Sequence, residues 1–291
     1  MTHSNGSRGT FSIVAYDPQK REWGIGVQSK FLAVGSTVPW ARAGAGAVAT
    51  QSWANTSYGP RGLAMMDEGM SAAEAIARLT EEDEDRAWRQ VGVVDSRGNA
   101  AAFTGQDCYD WAGHLVGDHY TCQGNILVGQ DTVKAMAGTF EECQGALPDR
   151  LLAALLAGQK AGGDRRGQQS AALLVVREGG GLDGLNDRYV DLRVDDHVAP
   201  IEKLAHLLEL YRLYWGETDP KTLVKIEGRV ASELQRILTR TGYYRGPATA
   251  TYDAATKQAL LDLVNTENLV KRWRDDDLLD AVILGFVREH F

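Results

Sequence analysis

Apolar and polar positions alternate in short runs at the start of the chain. Phe11 to Tyr16 and Trp23 to Gln28 predict two strands joined across the turn residues Asp17 and Pro18. Ser36 to Arg42 and Ala45 to Ser52 predict two more around Gly44, with small residues that permit close backbone approach. The period then becomes helical. Pro60, next to Gly59, opens a helix to about Glu68, at a place where its missing N–H would be unpaired anyway. Ser71 with Glu74 is a capping-box signature for a second helix. Trp88 to Val94 and Asn99 to Phe103 predict another hairpin, around Asp95 to Gly98. Residues 106–124 read as loop-rich, and Asn125 to Val128 leads into a helix ending near Phe140. Asp149 to Gln159 carries Leu151, Leu152, Leu155 and Leu156 on one face. Ser170 to Val176 and Tyr189 to Val194 are the last strands, and Pro200 to Trp215 is an amphipathic helix.

The order is strands, two helices, strands, two helices, strands, helix. Neighbouring strands are hairpin-linked, so the predicted class is α+β: two stacked, largely antiparallel sheets with helices on their outer faces. The expected domain spans residues 10–215, after a polar leader over 1–9. A linker over 216–224, rich in turn residues, leads to a helical module over 225–291. That module is read as helices over Lys225 to Arg240, from Asp253 through Asn265, and from Asp275-Asp276-Asp277 onward.

Composition narrows the function. The 291 residues are 44% hydrophobic and 24% charged, ordinary globular values, and the net charge of −8 argues against bulk binding of nucleic acid or anionic membrane. Three cysteines, Cys108, Cys122 and Cys143, without a CxxC pair suit a reducing compartment and predict no metal site. No dinucleotide or phosphate-loop glycine pattern follows a strand, so no organic cofactor is expected. The leader lacks an apolar core segment, and a cytoplasmic location is the expectation.

The candidate chemistry begins at Gly9-Thr10. Cut between them, Thr10 would carry a hydroxyl and a free α-amine that titrates near ~7.7–8.0. Nucleophile and base would then share one residue. The plain alternative is an ordinary first strand residue. Backbone N–H groups of Thr50-Gln51-Ser52 are candidate oxyanion donors, or simply a tight strand end. In the glycine-rich run from Gly163 to Ser170, Asp164 and Arg166 are expected to pair and to position Ser170, unless the run is a solvated turn. Asn125 would bind a substrate amide or the oxyanion, or form a turn. Asn55 and Tyr58 would line the same cleft. Asp195, Asp196 and His197 are read as a charge network with Arg193. A Cys108 nucleophile with His114 or His119 is the competing catalytic reading.

Several of these segments resemble one family. TFSIVAYD, GVQSKFLAVGSTVPWARAGAGAVATQS, YGPRGL, CQGN, AGGDRRGQQSAALLV and DLRVDDHVAPIEKL occur in the order of a family of Ntn-hydrolase-like proteins, a domain of unknown function. The resemblance runs from about Thr10 to Trp215. It implies the four-layer αββα sandwich of N-terminal-nucleophile hydrolases, with Thr10 as nucleophile. Many members begin almost directly at this Thr, whereas nine residues precede it here. Either Gly9-Thr10 is cleaved, or the true start lies later, or the extension stays and the site is unprimed. Where the proteasome type has an acid and then a Lys, this chain has Gln28-Ser29-Lys30 and then Arg42. Gln28 and Ser29 are substrate-binding candidates, and Arg42 would stabilise the nucleophile or a substrate carboxylate. The tail from Val230 to Leu269 resembles small peptidoglycan-binding modules. Together these imply an amidohydrolase for a small or peptide-like amide, with a glycan or second-copy partner through the tail. The alternative is a non-catalytic binding or scaffolding protein on the same fold.

Overall fold

The computed structural model describes residues 9–291; the expected leader lies, apart from Gly9, outside the described residues. Two compact units divide the chain, Met1–His206 and Leu207–Phe291.

The first unit opens with the hairpin β1 (Thr10–Asp17) and β2 (Glu22–Ser29), every strand residue of it buried and its turn exposed. β3 (Pro39–Arg42) and β4 (Gly46–Ser52) follow, then helices α1 (Tyr58–Asp67) and α2 (Ala72–Glu81). Ser71 and Glu74 form the capping box in full, each side chain on the other's backbone N–H. Next come β5 (Arg89–Asp95), β6 (Ala100–Thr104), β7 (Gly113–Gly117) and β8 (Tyr120–Asn125). Helices α3 (Asp131–Glu142) and α4 (Leu147–Lys160) and strands β9 (Ser170–Val176) and β10 (Arg188–Val194) follow, and helix α5 (Pro200–Trp215) belongs to the second unit from Leu207 onward.

Two antiparallel sheets result, one ordered β10-β9-β2-β1-β8-β7 and the other β3-β4-β5-β6. They pack face to face, β1 against β4 and β5, β2 against β3 and β4. Helices α1 and α2 cover the smaller sheet, and α3 and α4 cover the larger. The apolar part of the inter-sheet layer holds Val14, Tyr16, Trp23, Ile25 and Val27 against Ala47, Ala49 and Val94. Side-chain alternation sends the intervening residues of β1 and β2 toward the helices. There Gly24 and Gly26 leave room for Leu151 and Leu155 of α4; a Cβ on Gly24 would lie 2.6 Å from Leu151 Cδ1.

The stretch read as loop, residues 106–124, contains both β7 and most of β8. Asn125, expected to lead toward a helix, ends β8 instead.

The second unit adds β11 (Val224–Lys225), α6 (Gly228–Arg240), α7 (Ala254–Thr266), β12 (Leu278–Leu279) and α8 (Ala281–His290). Leu234, Leu238, Leu260, Leu263, Ile283 and Val287 meet in its core. Asp253 caps α7 as expected. Asp275-Asp276-Asp277 does not begin the last helix. Leu278 and Leu279 pair with β11 first, and Asp280 supplies the cap through Val282 N–H. Arg272, buried, donates to Asp280 and to the carbonyls of Arg212 and Leu213 in the last turn of α5.

No helix of the described residues is long and apolar enough to cross a membrane, and no cluster of metal-ligating side chains stands among them.

Candidate active site around the Gly9–Thr10 bond

Thr10 starts the central strand β1, flanked by Ser29 on β2 and Asn125 on β8 as direct register partners. All three side chains therefore share one face, the face toward the smaller sheet. Thr10 is only 4% exposed. Its hydroxyl donates to Ser29 Oγ at 3.1 Å, and Ser29 Oγ–H donates in turn to the carbonyl oxygen of Gly9. Arg166 Nη2 donates to the same carbonyl at 2.9 Å. The peptide bond before Thr10 thus has a polarised carbonyl on one side and a hydroxyl already hydrogen-bonded on the other.

Asp164 fixes Arg166. Its carboxylate is wholly buried and takes Arg166 Nη2 at 2.7 Å and Nε at 3.0 Å, a two-pronged ion pair. It also accepts from the Lys30 backbone N–H at 3.1 Å. The loop from Gly162 to Gly167 can deliver both residues because three of its glycines take positive φ. Gly9 is clasped by this loop: a Cβ there would lie 2.8 Å from Asp164 Oδ2 and 2.9 Å from Ile126 Cβ. Ser170 pairs with Ser29, and its hydroxyl holds the turn after β2 by bonding Phe31 O and Val34 N.

Behind Thr10 lies a network of uncharged amides. Gln123 Nε2 donates to Ser12 Oγ, and Ser12 Oγ donates to Gln51 Oε1, both at 2.6 Å. Gln51 Nε2 and Asn125 Nδ2 both donate to Gln90 Oε1 at 2.9 Å. Gln90 Nε2 donates to the Gly124 carbonyl at 2.8 Å and to Thr104 Oγ1 at 2.9 Å. Thr104 Oγ1 lies 2.8 Å from His114 Nδ1, whose pKa burial lowers.

The structure brings Thr10, Ser29, Gln51, Asn125, Asp164, Arg166 and Ser170 together. Gln51 faces Thr10 with its side chain, its Nε2 lying 3.5 Å from Thr10 O. Five other expected residues stand elsewhere. Gln28 lies one step off Ser29 and so faces the helices, where neither amide atom has a partner among the described residues. Ser52 ends β4 at a φ of 69°, and its side chain is hydrogen-bonded with Cys108. Asn55 and Tyr58 both donate to Asp83 at 2.9 Å, on the outer side of the smaller sheet. Burial opposes the Asp83 charge, but donors from Arg89, Asn55 and Tyr58 hold its carboxyl well below the usual range. Arg42 pairs with Asp67 at the surface; its register partner Gly46 is five residues from Gln51, about 17 Å along β4.

The cysteine reading finds no support in the geometry. Cys108 bonds the Arg89 carbonyl, and burial pushes its thiol up. His114 bonds Thr104, and His119 bonds the Gly98 carbonyl. Arg193 pairs with Asp191, while Asp196 accepts from Gln169.

Gln90 and Gln123 were not legible as site residues. Their signal is a polar residue at an inward position of an otherwise apolar strand, repeated at Ser12, Gln51, Gln90 and Gln123.

Residues 10–204 match the family of unknown function DUF1028. The chain belongs to this family. A crystal structure of a DUF1028 protein from Silicibacter pomeroyi is 32% identical, covering 72% of this chain and 88% of that one with a TM-score of 0.66. Anbu, an ancestral beta-subunit from Yersinia bercovieri, is 11% identical over 69% of this chain and 96% of its own, with a TM-score of 0.31. Residues 214–287 match a putative peptidoglycan binding domain. No curated protein is significantly similar to the chain.

Proposed function

We propose that this DUF1028 chain is an amide-bond hydrolase of the N-terminal-nucleophile type, with Thr10 as nucleophile once residues 1–9 are removed. The observation that carries the reading is the Gly9 carbonyl held by Ser29 and Arg166 beside the Thr10 hydroxyl.

Oγ1, Cβ, Cα and N of Thr10 close a five-membered ring with the Gly9 carbonyl carbon when Oγ1 attacks. The new C–O bond forms as the Thr10 proton passes to Ser29 and the Ser29 proton passes to the Gly9 oxygen. Arg166 steadies the charge that develops on that oxygen. Collapse breaks the C–N bond, and the proton moves to nitrogen, leaving an ester and a free α-amine. Water then hydrolyses the ester, releasing the leader as a carboxylic acid and restoring the Thr10 hydroxyl. The freed amine acts as general base for the same hydroxyl on an incoming amide, through an acyl-enzyme. The proposed substrate is a small or peptide-like amide. The second unit would bring the chain to a peptidoglycan-like glycan.

One observation favours the second reading, a binding or scaffolding protein that keeps its leader: Thr10 is buried and Gly9 is tightly clasped. Intact mass of protein carrying only a C-terminal tag separates the two. Loss of the first nine residues in the wild type, but not in Thr10→Ala, is expected. A wild type that retains them would sink the catalytic reading.

A further inference from the structure

The amide network leaves one buried atom without a donor, and that atom is beside Thr10. Gln90 Nε2 donates to the backbone carbonyls of Gly124 and Gly113, at 2.8 and 3.1 Å, and these can only accept. Gln90 Oε1 must therefore face the other way, toward Gln51 Nε2 and Asn125 Nδ2. The orientation of the Asn125 amide follows: nitrogen toward Gln90, oxygen away from it. Asn125 is wholly buried, and its Oδ1 has no hydrogen-bond partner among the described residues. Buried polar groups in native proteins are nearly always paired, so an orphan of this kind points to a missing donor.

Thr10 is the register partner of Asn125, and such partners hold their Cβ atoms about 4.5–5.5 Å apart on one face. In the intact chain the Thr10 nitrogen carries a single peptide hydrogen. Cleavage turns it into an amine with two or three. We infer that Asn125 Oδ1 is the acceptor for the freed α-amine of Thr10, holding the amine so that its lone pair is directed at Oγ1. This inference rests on the catalytic reading above. Asn125 is then a positioning residue: it acts on the base and not on the substrate.

The other groups around Thr10 do not duplicate this role. Asp164 and Arg166, from the glycine-rich loop, neutralise each other. Lys30, from the turn after β2, sends its ammonium to the Gln168 carbonyl at 3.2 Å. The smaller sheet contributes Gln51 and Gln90, which do not titrate, and β7 contributes His114, engaged with Thr104.

The test follows the amine itself and needs no substrate. The chain is prepared with Thr10 exposed, by its own cleavage or by release from a cleavable fusion. Trace acetylation of the Thr10 amine is read by mass spectrometry across pH 5–10, chosen to bracket the ordinary amine value of about 7.7–8.0. Asn125→Asp places a carboxylate against the amine and is expected to raise its pKa by about one unit or more. Asn125→Leu removes the acceptor and lowers the pKa. Asn125→Ser, a shorter acceptor, restores part of the difference; circular dichroism confirms that each variant is folded. Equal amine pKa values in the wild type and all folded variants would overturn the inference, even if the wild type hydrolyses amides. The expected shifts in a chain that hydrolyses no amide would uphold it and overturn the catalytic reading instead.

Discussion

The space between the two sheets is built in two ways. Toward the β1–β2 turn it is apolar, with Trp23, Tyr16, Ile25 and Val94 in contact. Toward Thr10 the same layer is filled by Ser12, Gln51, Gln90, Gln123 and Asn125, every one buried and hydrogen-bonded. Apolar packing stabilises but tolerates small shifts; a connected set of directional bonds fixes atoms in place. The apolar end holds the sheets together, and the amide end sets their register beside the candidate nucleophile.

The largest test of that contrast is Trp23→Ala. It removes a fully buried indole and is expected to cost about 3–5 kcal/mol in urea unfolding. Folded protein, checked in the cold, should still release its leader at a rate close to wild type. Gln90→Leu should do the reverse. It orphans donors on Gln51 and Asn125 and an acceptor on Gly124, costing about 1–3 kcal/mol, yet slows leader release by about tenfold or more. Equal slowing by both variants would erase the distinction.

Acid sharpens the contrast further. The amide network does not titrate, whereas Asp83 on the outer side of the smaller sheet is held below its ordinary pKa. The unfolded chain binds that proton first, so the stabilising contribution is complete above about pH 3.9 and is lost as pH falls toward the lower folded value. Asp83→Asn should flatten the fall in melting temperature below pH 4, whereas Gln90→Leu should leave the steepness of that fall as in the wild type. The smallest expected effect is in thiol labelling. Cys108 and Cys122 are buried, with their thiols pushed up by burial. Iodoacetamide at pH 8 should therefore modify Cys143 first, and the other two only on unfolding.

The sequence made the apolar half of this molecule legible and hid the polar half. β1 and β2 stand out because Phe11, Ile13, Val14, Ile25 and Val27 give the strand signal directly. β8 does not, because its residues Thr121, Gln123 and Asn125 face a buried layer that is itself polar. A polar residue in a strand ordinarily signals solvent, and only the partners across the gap show otherwise. The same reason concealed Gln90. Thr10, Asp164 and Arg166 were visible through the family resemblance and the glycine-rich loop. Arg42 and Gln28 misled because motif order does not report which end of a strand, or which of its faces, meets Thr10.

On the proposed mechanism the chain tethers the clasped Gly9 carbonyl to its attacker, so no encounter between molecules would be needed before the bond reacts. Leader release by this route is first order: its half-time stays the same whether the protein is concentrated or diluted a thousandfold, whereas clipping by one copy on another, or by a stray protease, slows with every dilution.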